Sequence, residues 1–281
     1  MIGFAQLRPI AKAYVTLVML AGAAAVTQSA HRHYADPLIG PQWLILATLT
    51  LLTGSFTVRV PSINARISVS ETFVFASVLL FGAAAGTITV LLECLIVLFW
   101  MAPAGRPVYR LFFNLAAPTI AIWVSGTVFF MASGIQPYST HATPLPGLFL
   151  PLAAFTALYF LLNSWLVAIA VGLETRTPAY EIWWKNFIWL SVNYFSGASV
   201  AALIVTYTRE LDISTLAVIV PLLLISYLMF KTAMARVEDA NTHLSELNRL
   251  HLSTIETLAM AIDAKDQVTH GHIRRVQKYA V

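Results

Sequence analysis

The chain has 281 residues, of which 58% are hydrophobic and only 11% charged, and its mean hydropathy is +0.75. Those values exclude an ordinary soluble domain and describe an integral membrane protein. The formal charge of +4 does not indicate a nucleic-acid partner, because the basic residues stand singly between apolar runs. The lone cysteine, Cys94, lies inside an apolar run, which rules out an intrachain disulfide and a cysteine-based metal cluster.

At the N-terminus, Arg8 and Lys12 precede the apolar stretch from Ala13 to Val26, which has the outline of a secretory signal. With Gln28 two residues before Ala30 the small-residue cleavage pattern is poor, so a retained first helix is preferred. Crossing ~30 Å of hydrocarbon takes about 20 apolar residues. Against that length the chain offers about eight candidate spans, at 10–28, 41–58, 70–82, 85–102, 111–132, 147–172, 186–208 and 213–230. The third is short and is followed at once by Gly82-Ala-Ala-Ala-Gly86. It reads as one arm of a tight helical hairpin or as a re-entrant segment.

Lys and Arg collect in cytoplasmic loops, which gives an independent check on the topology. With eight spans and a cytoplasmic N-terminus, the inner segments hold Arg8, Lys12, Arg59, Arg66, Arg106, Arg110, Arg176 and Lys185. The outer loops hold only Arg32 and Arg209. The C-terminal segment, with Lys231, Arg236, Arg249, Lys265, Arg274, Arg275 and Lys278, also falls inside. Both termini are therefore expected in the cytoplasm.

Between the second and third spans, Phe56 to Ser70 alternates apolar and polar residues around Pro61-Ser-Ile-Asn64. That period of two fits either a short β-hairpin or an extended interfacial loop. Ser70 is then placed to cap the next helix, and Glu71 to favour the dipole of its first turn. Within the spans, Glu93 is the costly residue, because a carboxyl at membrane depth needs a partner, a proton or a cavity. It is the best sensing or transport candidate, and Asn114, Asn163 and Asn193 are the side chains from other spans that could face it. Tyr180, Trp183, Trp184, Lys185 and Trp189 cluster at a predicted membrane border and read as an aromatic belt. His31 and His33 read as loop polarity near the headgroups.

After the last span the chain turns polar from Lys231 to Leu252. Val237, Ala240, Leu244 and Leu247 recur at steps of three and four, the spacing of a coiled-coil seam or of the amphipathic face of a connecting helix. A homodimer through 237–247 and the membrane bundle is one expectation. Beyond it, Thr254-Ile-Glu-Thr-Leu-Ala-Met-Ala-Ile-Asp-Ala-Lys-Asp266 leads into Thr269-His-Gly-His272-Ile-Arg-Arg275-Val. These residues resemble the first helix and following turn of the HD-GYP family, metal-dependent phosphohydrolases that degrade cyclic di-GMP, in which T-x-G-H-S-x-R-V follows A-I-D-A-K-D. The resemblance covers roughly a tenth of the chain.

The resemblance implies that His272 is the first metal-binding histidine of a site that holds two divalent ions of the iron or manganese type. Asp266-Gln-Val-Thr269 replaces the usual D-P-Y-T, Ile273 replaces a serine, and Val268 stands where some members place a glutamate as an extra metal ligand. The family's later His-Asp pair lies beyond these residues, so this chain alone is expected neither to hold metal stably nor to act as an enzyme. His270 is expected to be an exposed neighbour.

The expected architecture is all-α: a polytopic helical membrane bundle over 1–231, a connecting helix over 232–253, and the all-helical beginning of an HD-GYP domain over 254–281. The expected role is the sensory input region of a cyclic di-GMP phosphodiesterase in the bacterial inner membrane, surrounded by lipid, with cyclic di-GMP bound only by the complete protein and no nucleic-acid partner. A small-solute transporter or channel with a regulatory cytoplasmic tail is the alternative.

Overall fold

A computed structural model describes residues 4–35, 41–54, 58–60, 65–67, 70–101, 107–139, 145–207, 213–265, 276 and 279. The chain is overwhelmingly helical. After a 3-10 turn at Phe4–Gln6 come α1 (Pro9–Ala35) and α2 (Pro41–Gly54), then the strands β1 (Val58–Val60) and β2 (Ala65–Ile67). Helices α3 (Glu71–Phe81), α4 (Ala83–Met101), α5 (Val108–Ser133), α6 (Leu145–Thr175), α7 (Ala179–Asn186), α8 (Ser191–Tyr207) and α9 (Ile213–Lys265) follow. The strands form an antiparallel pair with Arg59 opposite Arg66. Of the two readings of the alternating segment, the hairpin is the one observed, and it qualifies the all-α expectation by one small sheet.

Among the described residues, three helices are long and apolar enough to cross a membrane: Pro9–Arg32, Val108–Ser133 and Pro146–Thr175. A fourth span arises if α7 and α8, bent by 59° at the intervening turn, count as one. The seventh candidate span, expected as one run over 186–208, is thus broken at the 3-10 turn Ile188–Leu190. Helices α2 and α3 and the first part of α4 are apolar but shorter.

Helix α3 is the centre of the bundle. Its residues Thr72–Phe81 are all buried, as befits a helix that is apolar or small on every side. At 11 residues it rises only roughly 16 Å, about half of the hydrocarbon thickness. It packs against α2, α4 and α8. Gly82 ends it with φ +93, a backbone value that L side chains rarely adopt, and its N–H bonds the Val78 carbonyl at 2.8 Å. The chain then turns back, so α3 and α4 form the tight helical hairpin that the shortness of the third span foreshadowed. A Cβ on Gly86 would collide with Val78, which is why the two arms can lie so close. The last carbonyls of α3 are not left unpaired: Leu79 and Leu80 accept from the backbone N–H groups of Tyr138 at 2.9 Å and Ser139 at 3.1 Å.

A second apolar cluster joins α1 to α5 and α6 through Ala11, Val15, Val18, Phe113 and Ala117. Association between helices in lipid rests on close packing of small residues, and Gly22 of α1 meets Ala116 of α5 in this way. Hydroxyls in the helices are mostly spent internally. Thr50, Thr87, Thr119, Ser125 and Thr156 each donate to the carbonyl four residues back, which removes a buried donor at no cost to neighbouring helices. Residues from Leu228 onward belong to a second unit, carried on the continuous helix α9.

Candidate functional site

The N-terminal end of α3 gathers the polar groups that the helices do not satisfy internally. Ser70 was expected to cap α3, but it has helical dihedrals (φ −62, ψ −28) and makes no side-chain cap bond. Its hydroxyl instead donates to Oε1 of Glu93 on α4. The hairpin makes the meeting necessary: Ser70 lies twelve residues before Gly82 and Glu93 eleven after, so the two arms bring them level.

Glu71 completes the centre. Its carboxyl accepts from its own backbone N–H and from the side chain of Asn193 on α8, and it lies within electrostatic range of Glu93. Among the described residues its Oε2 has no hydrogen-bond partner, and it is shut off from solvent. Among the described residues neither Glu71 nor Glu93 is paired with a basic side chain, and the ion pairs present join Arg110 to Glu174 and His243 to Glu246. Two glycines let backbone approach the pair. A Cβ on Gly54 of α2 would lie 3.1 Å from Cγ of Glu93, and one on Gly197 of α8 would lie 3.4 Å from the Thr72 hydroxyl and 3.8 Å from Cβ of Glu71.

A phenol layer adjoins the acids. Asn163 of α6 donates from Nδ2 to the hydroxyl of Tyr194 at 3.0 Å. Tyr194 packs on Tyr159 with ring centroids 5.4 Å apart, and Tyr159 packs on Phe75 of α3 edge to face at 5.4 Å. Both phenols lie within electrostatic range of Glu71 and Glu93. Five helices, α2, α3, α4, α6 and α8, thus converge on one polar centre enclosed by aromatic and aliphatic side chains. Two carboxyls, hydroxyls and an amide offer oxygen ligands and hydrogen-bond acceptors, an arrangement able to hold a cation, a protonated amine or a proton.

The structure unites Glu93 and Asn193, through Glu71 and Ser70, and sets Asn163 in the adjoining layer. Asn114 is not among them: it is exposed on α5, outside the stripe of Phe113, Ala116, Ala117 and Ala121 that faces the bundle. Its carbonyl is also the one that Pro118, four residues on, cannot serve. His270 and His272 lie outside the described residues, as do the side chains of His33 and Trp189; His31 is exposed. Among the described residues no group of three or more His, Cys, Asp or Glu is arranged to hold a metal ion.

The aromatic belt divides in two. Trp183 turns inward, stacking on Trp165 at 5.5 Å and donating from Nε1 to the Ser164 hydroxyl at 2.8 Å. Tyr180 and Trp184 stay exposed, as an interfacial belt requires. An apolar cleft of about 250 Å³ between α5 and α6, lined by Val128, Phe129, Leu150, Pro151 and Phe155, offers dispersion contacts alone. The hydroxyls at its edge, Ser125 and Ser133, are already bonded within α5. The Glu71–Glu93 centre is therefore the stronger candidate.

Comparison with protein-family models, with curated proteins and with solved structures gives no match to this chain.

Proposed function

We propose that this chain is the membrane-embedded input region of a cyclic di-GMP phosphodiesterase of the HD-GYP type. The observation that carries the reading is the run Ala261-Ile-Asp-Ala-Lys-Asp266 followed by Thr269-His-Gly-His272. The charge pattern supports it independently, since the excess of Lys and Arg in alternate loops fits eight spans in a bacterial inner membrane with both termini in the cytoplasm, where a cyclic dinucleotide is available. In that topology α3 and α4 are the third and fourth spans, paired as a hairpin, and α9 leads out of the membrane toward the catalytic domain.

The family's paired metal ions activate water against a phosphodiester when bound. A single histidine, His272, does not fit such a site by itself, and no step of hydrolysis is assigned to residues of this chain. Their part is to sense and transmit. The Glu71–Glu93 centre is the input element: a ligand or ion that binds one arrangement of α3, α4 and α8 better than another biases a distant domain by that difference in affinity.

A second reading, a small-solute transporter or channel with a regulatory tail, draws on the same two carboxyls, which have no basic partner among the described residues.

The test is to express the whole reading frame in membranes and measure manganese- or iron-dependent hydrolysis of cyclic di-GMP, with His272→Ala alongside. The sensor reading expects hydrolysis that the substitution abolishes. A well-inserted protein without hydrolysis, whose proteoliposomes carry solute or ion flux lost in Glu93→Gln, would establish the transporter reading instead.

A further inference from the structure

We propose that the Glu71–Glu93 centre binds a small monovalent cation, sodium. The proposal rests on the reading of this centre as the input element and names the ligand it takes. Two observations besides the paired acids point to a cation. The first is an orphaned atom: Oε2 of Glu71 is shut off from solvent and accepts no hydrogen bond among the described residues, while the donors that serve this carboxyl, its own backbone N–H and the Asn193 side chain, are left to Oε1. An enclosed carboxyl oxygen without a donor is destabilising, and a cation beside it removes that cost.

The second is the end of α2. That helix stops at Gly54, and a Cβ there would lie 3.2 Å from Oε1 of Glu93. The negative end of the α2 dipole therefore falls on a carboxyl that already lacks a basic partner among the described residues, and it favours a positive charge at the same place. Chemistry and size then select the ion. Carboxyl, hydroxyl and amide oxygens from Glu71, Glu93, Ser70 and Asn193 are hard ligands, suited to sodium and not to the softer transition metals. Among the described residues no third acid, histidine or cysteine completes a group able to hold a metal ion, so the charged set is too small for a divalent cation. One carbon added at Gly54 would already press on Glu93, which leaves room on the side of α2 for a monatomic ion and not for an alkylammonium group.

The experiment follows thermal unfolding of the full chain in detergent, at fixed pH and ionic strength, as sodium chloride replaces choline chloride. Sodium should raise the Tm along a saturating curve, since an ion at about 100 times its dissociation constant shifts the unfolding equilibrium about 100-fold toward the folded state. Potassium chloride should raise it less, because the closely packed centre suits the smaller ion. Glu71→Gln, which keeps the size of the side chain, should flatten the sodium curve, whereas Glu256→Gln on the exposed part of α9 should leave it unchanged. Equilibrium binding of radioactive sodium to the unaltered protein, displaced by excess sodium and not by choline, keeps the test decisive if Glu71→Gln does not fold. A Tm that responds alike to sodium and choline, or a sodium curve that Glu71→Gln leaves intact, overturns the proposal. So does a Tm that follows pH but ignores sodium, which would make a proton the occupant. Hydrolysis of cyclic di-GMP plays no part in these readouts: a chain that binds sodium here while its hydrolysis ignores the ion defeats the input reading and leaves the site standing.

Discussion

Ser70 donates its hydroxyl to Oε1 of Glu93, so the side chain that leads into α3 reaches the return arm of the hairpin, while its carbonyl accepts from the N–H groups of Phe73 and Val74 in its own helix. Ser70→Ala removes that donor and leaves a carboxyl oxygen without it in a site closed by five helices. The expected loss is about 1–3 kcal/mol, the cost of leaving a buried polar atom unsatisfied. Thermal unfolding of the purified protein in detergent should show a lower Tm. An unchanged Tm would mean that the bond contributes nothing to the hairpin.

The approach of α1 to α5 depends on Gly22, where a Cβ would lie 2.5 Å from Cβ and 2.8 Å from Cα of Ala116. The nearest atoms there include backbone, which cannot turn aside as a flexible side chain can. Gly22→Val is expected to cost about 1–3 kcal/mol through overpacking, more than a helix gains from losing a glycine. The same unfolding measurement checks it. A stable Gly22→Val protein would show that α1 is free to shift.

Trp183 and Trp184 are neighbours in sequence with opposite roles. Trp183→Phe keeps a ring against Trp165 but loses the donor to Ser164, and about 1 kcal/mol with it. Trp184 is 66% exposed, and Trp184→Phe should shift stability by no more than about 0.5 kcal/mol. Equal effects at the two positions would contradict the inward placement of Trp183.

Much of this arrangement was legible in the sequence. The run of small residues after Phe81 allowed a tight hairpin or a re-entrant segment, alternation around Pro61 allowed the strand pair, and an acid amid apolar residues marked Glu93. Other features were hidden for physical reasons. Glu71 sits in a first turn, where the helix dipole already accounts for a carboxylate, so nothing local marks it as half of a pair. Only the fold of the hairpin about Gly82 brings it to Glu93, and that symmetry of spacing was the available signal. Asn114 misled because an amide in a span reads alike whichever way it points; its angle to the apolar stripe of α5 decides. The break at Ile188–Leu190 was invisible because the apolar run Phe187 to Leu190 leads into α8 with no Gly or Pro to mark a bend.

The central claim is that the Glu71–Glu93 centre governs the output of a cytoplasmic phosphodiesterase. Its most direct test is the rate of cyclic di-GMP hydrolysis in membranes by the protein from the whole reading frame, compared with Glu93→Gln at equal expression. Gln keeps the size and a carbonyl acceptor for Ser70 but removes the second acid. The claim predicts normal insertion and a rate whose dependence on the input is changed or lost. A rate and response identical to those of the unaltered protein under every input tested would contradict it.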